Sequence, residues 1–251
     1  MQLKELSVPL FQQSEVVLEN FITGQVVLID KPLGWTSFDV VNKCRKIIMQ
    51  SLKLKNIKVG HAGTLDPLAT GLLILCTGKA TKRINEWMVA DKEYVATIEF
   101  GRTTPSFDLE TKTDCTYPFE HITCKSFEAS LKTFLGETQQ IPPVFSAKNV
   151  QGKRAYSFAR KGKEIELSAQ PIFISELDII RFDLPVAEVR IRCSKGVYVR
   201  AFARDLGIAN QSGACLTGLR RTAIGDMQVE KAISPDLFEQ ILKNITYKPN
   251  Q

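Results

Sequence analysis

The sequence has only two histidines and no C-x-x-C pair among its six cysteines. Disulfide frameworks belong to short secreted chains, so the scattered Cys44, Cys76, Cys115, Cys124, Cys193 and Cys215 are read as reduced thiols. The one Cys/His cluster, Cys115, His121 and Cys124, lacks a fourth ligand nearby and the usual zinc spacing. No metal is expected there. No aliphatic run exceeds Leu72–Leu75 with Cys76 beyond it, far short of the roughly 20 residues that a membrane span needs. A basic start followed by an apolar core, the mark of a signal peptide, is missing, and Glu5, Glu15 and Glu19 depart from the acid-poor character of a transit peptide. A cytoplasmic protein without a membrane partner is the expectation. A phosphate loop is absent too: six residues separate Gly71 from Gly78 where four are required, and Ala80 follows Lys79 where a hydroxyl is required. No G-x-G-x-x-G occurs. The expectation is therefore a reaction run by side chains, with no cofactor.

What is present is ordinary globular composition, 44% hydrophobic and 24% charged over 251 residues. That length allows one large domain or a main domain with a small appendage. Lys and Arg number 33 against 27 Asp and Glu, a net charge of +6, and this modest positive field suits a polyanionic partner.

Strand and helix patterns alternate without a regular βαβ rhythm. Gln25–Ile29 reads as a first buried strand, ended by the turn Asp30–Gly34. Ser37 is placed as N-cap of a helix whose Val40, Val41, Cys44, Ile47 and Ile48 share one side. Tyr94, Ala96, Ile98 and Phe100 alternate with Val95, Thr97 and Glu99, and Val189, Ile191 and Cys193 alternate with Arg190, Arg192 and Ser194, which is strand periodicity. Helical patterns fall near 81–90, 126–135, 153–161 and 200–209, and Ser234-Pro235 opens a last short helix. Val197 and Val199 flank Tyr198 so that Tyr198 and Arg200 are expected outward at a strand end. The fold class that follows is α+β, a mixed, largely antiparallel sheet flanked by helices and loops.

Three places concentrate chemistry. Gly60–Gly71 is rich in glycine and carries His61 and Asp66, the only carboxylate between Asp39 and Glu86. Pro67 disfavours the α region for the residue before it, so Asp66 is expected to be extended and held by the loop. On composition alone an Asp-Pro turn is the simpler reading, and His61 is equally a polar loop residue or a partner-binding one. From Phe145 to Lys163 the chain carries Lys148, Lys153, Arg154, Arg160, Lys161 and Lys163 without an acid, interleaved with Phe145, Tyr156 and Phe158. Such a mix suits RNA phosphates and unstacked bases, or a solvated helix face. Arg190–Arg200 and Arg220-Arg221 add further positive charge.

Five motifs in order, Asp30-Lys31-Pro32-Leu33-Gly34-Trp35-Thr36-Ser37, the Gly60–Gly71 loop, Lys92-Glu93-Tyr94, Ser194–Arg200 and Leu219-Arg220-Arg221, resemble those of the bacterial TruB family of tRNA pseudouridine synthases. The resemblance runs from about residue 25 to about residue 225. It implies a pseudouridine-synthase-like fold and isomerisation of the uridine at position 55, in the T-loop of tRNA, without a cofactor. It also implies Asp66 as the nucleophile, Arg200 as the arginine paired with it, and Tyr94 as the tyrosine stacked on the uracil. Attack on C1′ of the ribose, attack on C6 of the base and elimination to a glycal all remain open. Tyr198 and Leu219 match positions lining the uracil pocket, Lys31 would position loops, and His61 would fill the space left by an extruded nucleotide. The basic residues 148–163, with Arg220 and Arg221, would hold phosphates. The chain is accordingly divided into an extension, 1–24; a catalytic domain, 25–230, with an RNA-clamping insertion near 139–166; and a short tail, 231–251, with no additional C-terminal RNA-binding domain. Cys215 stands where the family often has histidine. The partner implied is the T-arm of tRNA, met by a monomer. Two rivals remain: a silent tRNA-binding or folding module, and a synthase for another RNA uridine.

Overall fold

The computed structural model describes residues 18–145, 149–150, 153–154 and 167–245. Two units divide the chain: Met1–Lys92 with Arg220–Gln251, and Glu93–Leu219. The first unit therefore uses two separate stretches of sequence.

Along the first stretch lie α1 (Asn20–Thr23), β1 (Val26–Lys31), α2 (Ser37–Ser51), β2 (Val59–Ala62), β3 (Ala69–Thr77) and α3 (Ile84–Val89). β3 pairs antiparallel with β1, from Val26 opposite Cys76 to Lys31 opposite Gly71, and antiparallel with β2. Both faces of this sheet are covered, which is why its strands read as continuous apolar runs rather than alternating ones. Val27, Ile29, Leu73 and Leu75 point to one cluster with Val40, Cys44 and Ile48 of α2. Val26, Leu28, Leu72, Ile74 and Cys76 point to the opposite cluster with Trp87. α2 begins one residue earlier than Ser37 suggests: Thr36 is the N-cap, in a reciprocal capping box with Asp39. Ser37, freed from capping, is buried and bonds Leu65 instead.

The second unit contains β4 (Lys92–Phe100, from Glu93 on), β5 (Arg102–Thr103), β6 (Cys115–Thr116), α4 (Cys124–Lys132), β7 (Gly136–Gln140), β8 (Asn149–Val150), β9 (Lys153–Arg154), β10 (Gln170–Asp183), β11 (Val186–Cys193), α5 (Val199–Ala209) and residues 214–219 of β12 (Ala214–Ile224). Its sheet order is β12-β4-β11-β10-β7, with β10 antiparallel to both β11 and β7. The expected alternation is present in β4 and β11, whose buried Ala96, Ile98, Phe100, Val189, Ile191 and Cys193 meet Phe127 of α4 and Phe202 of α5. Edge-to-face rings, Phe100 on Phe127 at 5.8 Å and Phe134 on Phe202 at 5.2 Å, fix that packing. The chain then returns to the first unit through residues 220–224 of β12, β13 (Met227–Gln228) and α6 (Pro235–Asn244), whose N-cap is Ser234. Mixed α and β structure with a largely antiparallel sheet flanked by helices agrees with the sequence reading.

Four expectations change. Arg200 is not at a strand end: Tyr198 is the N-cap of α5 and Arg200 lies in its first turn, because Val199, Phe202, Ala203 and Leu206 form a buried helical stripe. A helix does not start at 153, since Asn149–Val150 and Lys153–Arg154 pair antiparallel two residues apart, the spacing of a tight hairpin; residues 155–161 lie outside the described ones. The described parts of the supposed extension and tail, residues 18–24 and 231–245, are not appendages, for Leu18 and Phe21 share a core cluster with Phe238 and Leu242. Finally, Arg221 is not a surface charge. It is 1% exposed.

Candidate active site

In the first unit, the segment from Gly60 to Gly71 leaves β2, carries Asp66 and enters β3. Its shape is imposed by polar groups behind it. The Lys31 ammonium, fully buried, donates to the carbonyls of Trp35 at 2.5 Å, Pro32 at 3.0 Å and Pro67 at 3.4 Å. Pro67 O also accepts from Gly34 N at 2.9 Å. Ser37 Oγ accepts from Leu65 N at 2.9 Å and donates to Leu65 O at 3.3 Å. Both neighbours of Asp66 are thus tied through their main chains, and Asp66 itself is half-buried.

Arg221 closes the same segment from the strand side. Its Nε donates to Leu72 O at 2.8 Å and its Nη2 to Gly63 O at 2.9 Å. Gly71 lies so close that a Cβ there, built at φ +103°, would stand 2.3 Å from Arg221 O; only glycine permits that approach. Arg220, next in sequence, points elsewhere and grips Asp30 with both Nη atoms at 3.0 and 2.7 Å. Its exposed part can still meet solvent, whereas Arg221 has no phosphate-facing surface; this corrects its reading as an RNA contact.

Burial, with the Arg221 guanidinium in second place, holds the His61 imidazole below its ordinary 6.5 and so favours the neutral ring. Burial also pulls the Lys31 amine down from 10.5 to about 8, against the Asp66 carboxylate, which draws it up. Between those two values the unfolded chain holds a proton that the folded chain has released, and stability rises with pH across that window. Unfolding free energy is expected to rise by roughly 3 kcal/mol from pH 8 to 10.5 on this account. Denaturant melts of Lys31→Met across the same range should lack the rise; an equal rise would assign it to another group.

In the second unit, Tyr94 of β4 and Leu219 of β12 are partly buried and pack on the apolar cluster. Tyr198 is held by an amide clamp: its N donates to Gln140 Oε1 at 2.9 Å and its O accepts from Gln140 Nε2 at 3.2 Å. Arg200, 4% exposed, is a cation in the first turn of a helix, the end its dipole disfavours. Acceptors compensate. Nη2 donates to Phe145 O at 2.8 Å, Nη1 to Ser106 O at 3.3 Å, and Nε lies 3.7 Å from Asp108 Oδ2. Asp108 is itself buried, in a turn where Thr104 Oγ1 and Ser106 Oγ donate to its carbonyl.

Sequence reasoning passed over Asp108 and Gln140, and gave Ser37 a capping role instead of its bonds to Leu65. A signal existed for Asp108 alone: Thr103, Thr104, Ser106 and Asp108 cluster turn-forming side chains just after an alternating strand. Of the proposed RNA contacts, Lys148, Arg160, Lys161 and Lys163 lie outside the described residues, and Lys153 and Arg154 are placed by backbone only, in the β8–β9 hairpin. Among the described residues no cluster of three metal-ligating side chains occurs, and no helix is long and apolar enough to cross a membrane.

Comparison with known proteins gives this arrangement a class. Residues 49–199 match the family model described as TruB family pseudouridylate synthase (N terminal domain). A protein of Parabacteroides distasonis called tRNA pseudouridine synthase B is 55% identical over 229 residues, 91% of this chain and 97% of that one. Another of that name, from Flavobacterium johnsoniae, is 50% identical over 226 residues, 90% and 99% of the two chains. A chain in the crystal structure of a Cbf5-Nop10-Gar1 complex superposes with a TM-score of 0.64 at 25% identity, over 86% of this chain and 54% of that one. This chain thus spans about half the length of that solved one. The fold and the family match define an isomerase, a pseudouridylate synthase. Within that class, the chain belongs to the TruB family.

Proposed function

We propose that the chain isomerises a uridine of tRNA to pseudouridine, at position 55 in the T-loop, with Asp66 as nucleophile. The observation that carries this reading is a loop with a single carboxylate, braced through its main chain on both sides, in a chain whose near-full-length relatives are called tRNA pseudouridine synthase B. The N1–C1′ bond breaks, the uracil turns, C5 bonds to C1′, and the proton leaving C5 is matched by one gained at N1. No electrons or groups enter, so no cofactor is required by the balance. An aspartate attacks only as the anion, and the Lys31 ammonium supplies attractive positive charge to it.

The T-loop uridine is stacked, so reaching it requires extrusion, at a few kcal/mol of unstacking. A neutral His61 ring suits the space vacated, since it brings no charge into a base stack. Tyr94 would stack on the uracil, Tyr198 and Leu219 would line its pocket, and Arg200 would supply the guanidinium that keeps the nucleophile charged. The protein acts as a monomer on the T-arm, with the basic stretch 148–163 on its phosphates.

Tritium release from tRNA labelled at uridine C5 tests the reading. One equivalent released, and none from tRNA carrying cytidine at position 55, is the expected outcome. Release that persists without that uridine would assign another target. Tight binding without release would make the chain an RNA-binding module. For the clamp, Lys153→Ala with Lys161→Ala should weaken tRNA binding and lower the slope of log K against log salt by about 0.7–0.9 per lysine. The rate at saturating tRNA should be unchanged, and a change in rate alone would remove the clamp.

A further inference from the structure

We infer that Arg221 is a positioning residue for the reaction: one buried side chain ties both ends of the segment that presents Asp66. The inference rests on Asp66 being the nucleophile. The first tie is Nη2 to Gly63 O at 2.9 Å, three residues before Asp66. The second is Nε to Leu72 O at 2.8 Å, six residues after it. A third is steric, the main chain of Arg221 lying against Gly71 where no Cβ fits. From Gly63 to Leu68 the chain is irregular, and β3 begins only at Ala69, with Gly71 opposite Lys31 and Leu72 opposite Asp30 of β1.

A guanidinium suits this task better than an ammonium. Its donors are fixed in a planar fork, so two carbonyls bound to the same fork are held at a set distance from each other. At Gly63 the fit is close: a Cβ there would stand 3.2 Å from Nη1. Lys31 and Ser37 hold Pro67 and Leu65 from the α2 side, so the segment is gripped from two directions. Displacement of a reacting group by about 1 Å is enough to lower a rate by about 10². Since Arg221 is 1% exposed, it reaches no phosphate, and its contribution falls on the chemical step rather than on RNA affinity.

The test is single-turnover tritium release with saturating tRNA, run beside tRNA binding as a function of salt, well below the melting temperature of each variant. Arg221→Lys retains the charge and loses the fork. Its rate should fall about 10²-fold, with the dissociation constant and the salt slope as in the natural chain. A purely structural role would leave the saturated rate of the folded fraction unchanged, and a rate within about threefold of the natural chain would overturn the inference. A weaker affinity with a shallower salt slope would do so too, by making Arg221 a phosphate contact. Gly63→Ala is the second variant; it keeps the guanidinium but crowds Nη1 and strains the backbone at φ +81°, moving the same segment by another route, and a rate loss of the same order is expected. If neither variant folds, Arg221 serves stability alone and the inference fails. Asp66→Asn, measured in parallel, separates the two levels: turnover in that variant would sink the reaction reading, whereas its loss alongside a fully active Arg221→Lys would sink only the positioning role.

Discussion

Asp66→Asn is expected to lose at least about 10³-fold in single-turnover tritium release while binding tRNA as the natural chain does. The amide matches the carboxylate in size but has no anionic oxygen to attack carbon, so the step that covalent catalysis requires is removed. Folding should survive, because Gly63 O, both polar groups of Leu65 and Pro67 O remain bonded in the variant. A second reading comes from the Lys31 amine. Asp66 draws its pKa up, against burial; with that charge gone the amine titrates still lower, and the alkaline rise in stability should begin below pH 8. Turnover within tenfold of the natural chain would remove Asp66 from the chemistry.

Arg200→Met should lose both turnover and about 3–5 kcal/mol of stability, the usual consequence of leaving one member of a buried ion pair alone. Asp108 is the member left, with its partner's side chain and its own only 5% and 6% exposed. The Ser106 and Phe145 carbonyls lose their donors as well. Adding Asp108→Asn removes the stranded charge, and urea melts of the double variant should recover most of the loss. Turnover should not return, because the guanidinium proposed to keep the nucleophile charged is still missing. If activity recovered with stability, Arg200 would be a structural residue of the second unit and no more.

Strands whose burial is one-sided were legible: the alternations at 94–100 and 189–193 are the strands observed. Asp66 is an isolated acid among glycines, but that local property alone favours a plain Asp-Pro turn, and it was the resemblance of the whole Gly60–Gly71 loop to a family motif that singled it out. Arg200 was misplaced for an equally local reason. Val-Tyr-Val-Arg alternates like a strand over four residues, and only the longer stripe through Phe202, Ala203 and Leu206 shows the helix. Arg221 was misread because adjacent arginines look alike in sequence. What separates them is the alternation of β12, which sends Arg220 outward to Asp30 and Arg221 inward to carbonyls far back in the chain. No windowed pattern contains that distance. Gln140 was invisible, and Ser37 was given the wrong task, on the same ground, since each bonds the main chain of another segment.

The separation between Arg221 and its two acceptors, 149 and 158 residues, also sets an order of events during translation. At about 5–20 residues per second, Gly63 leaves the peptidyl-transferase centre roughly 8–30 s before Arg221 is added. A nascent chain of 200 residues already contains every side chain from Lys31 to Arg200, yet the segment carrying Asp66 still lacks both guanidinium bonds. On the positioning role inferred for Arg221, a truncated copy ending at residue 200 is expected to be without turnover, and these two bonds are among the last to form.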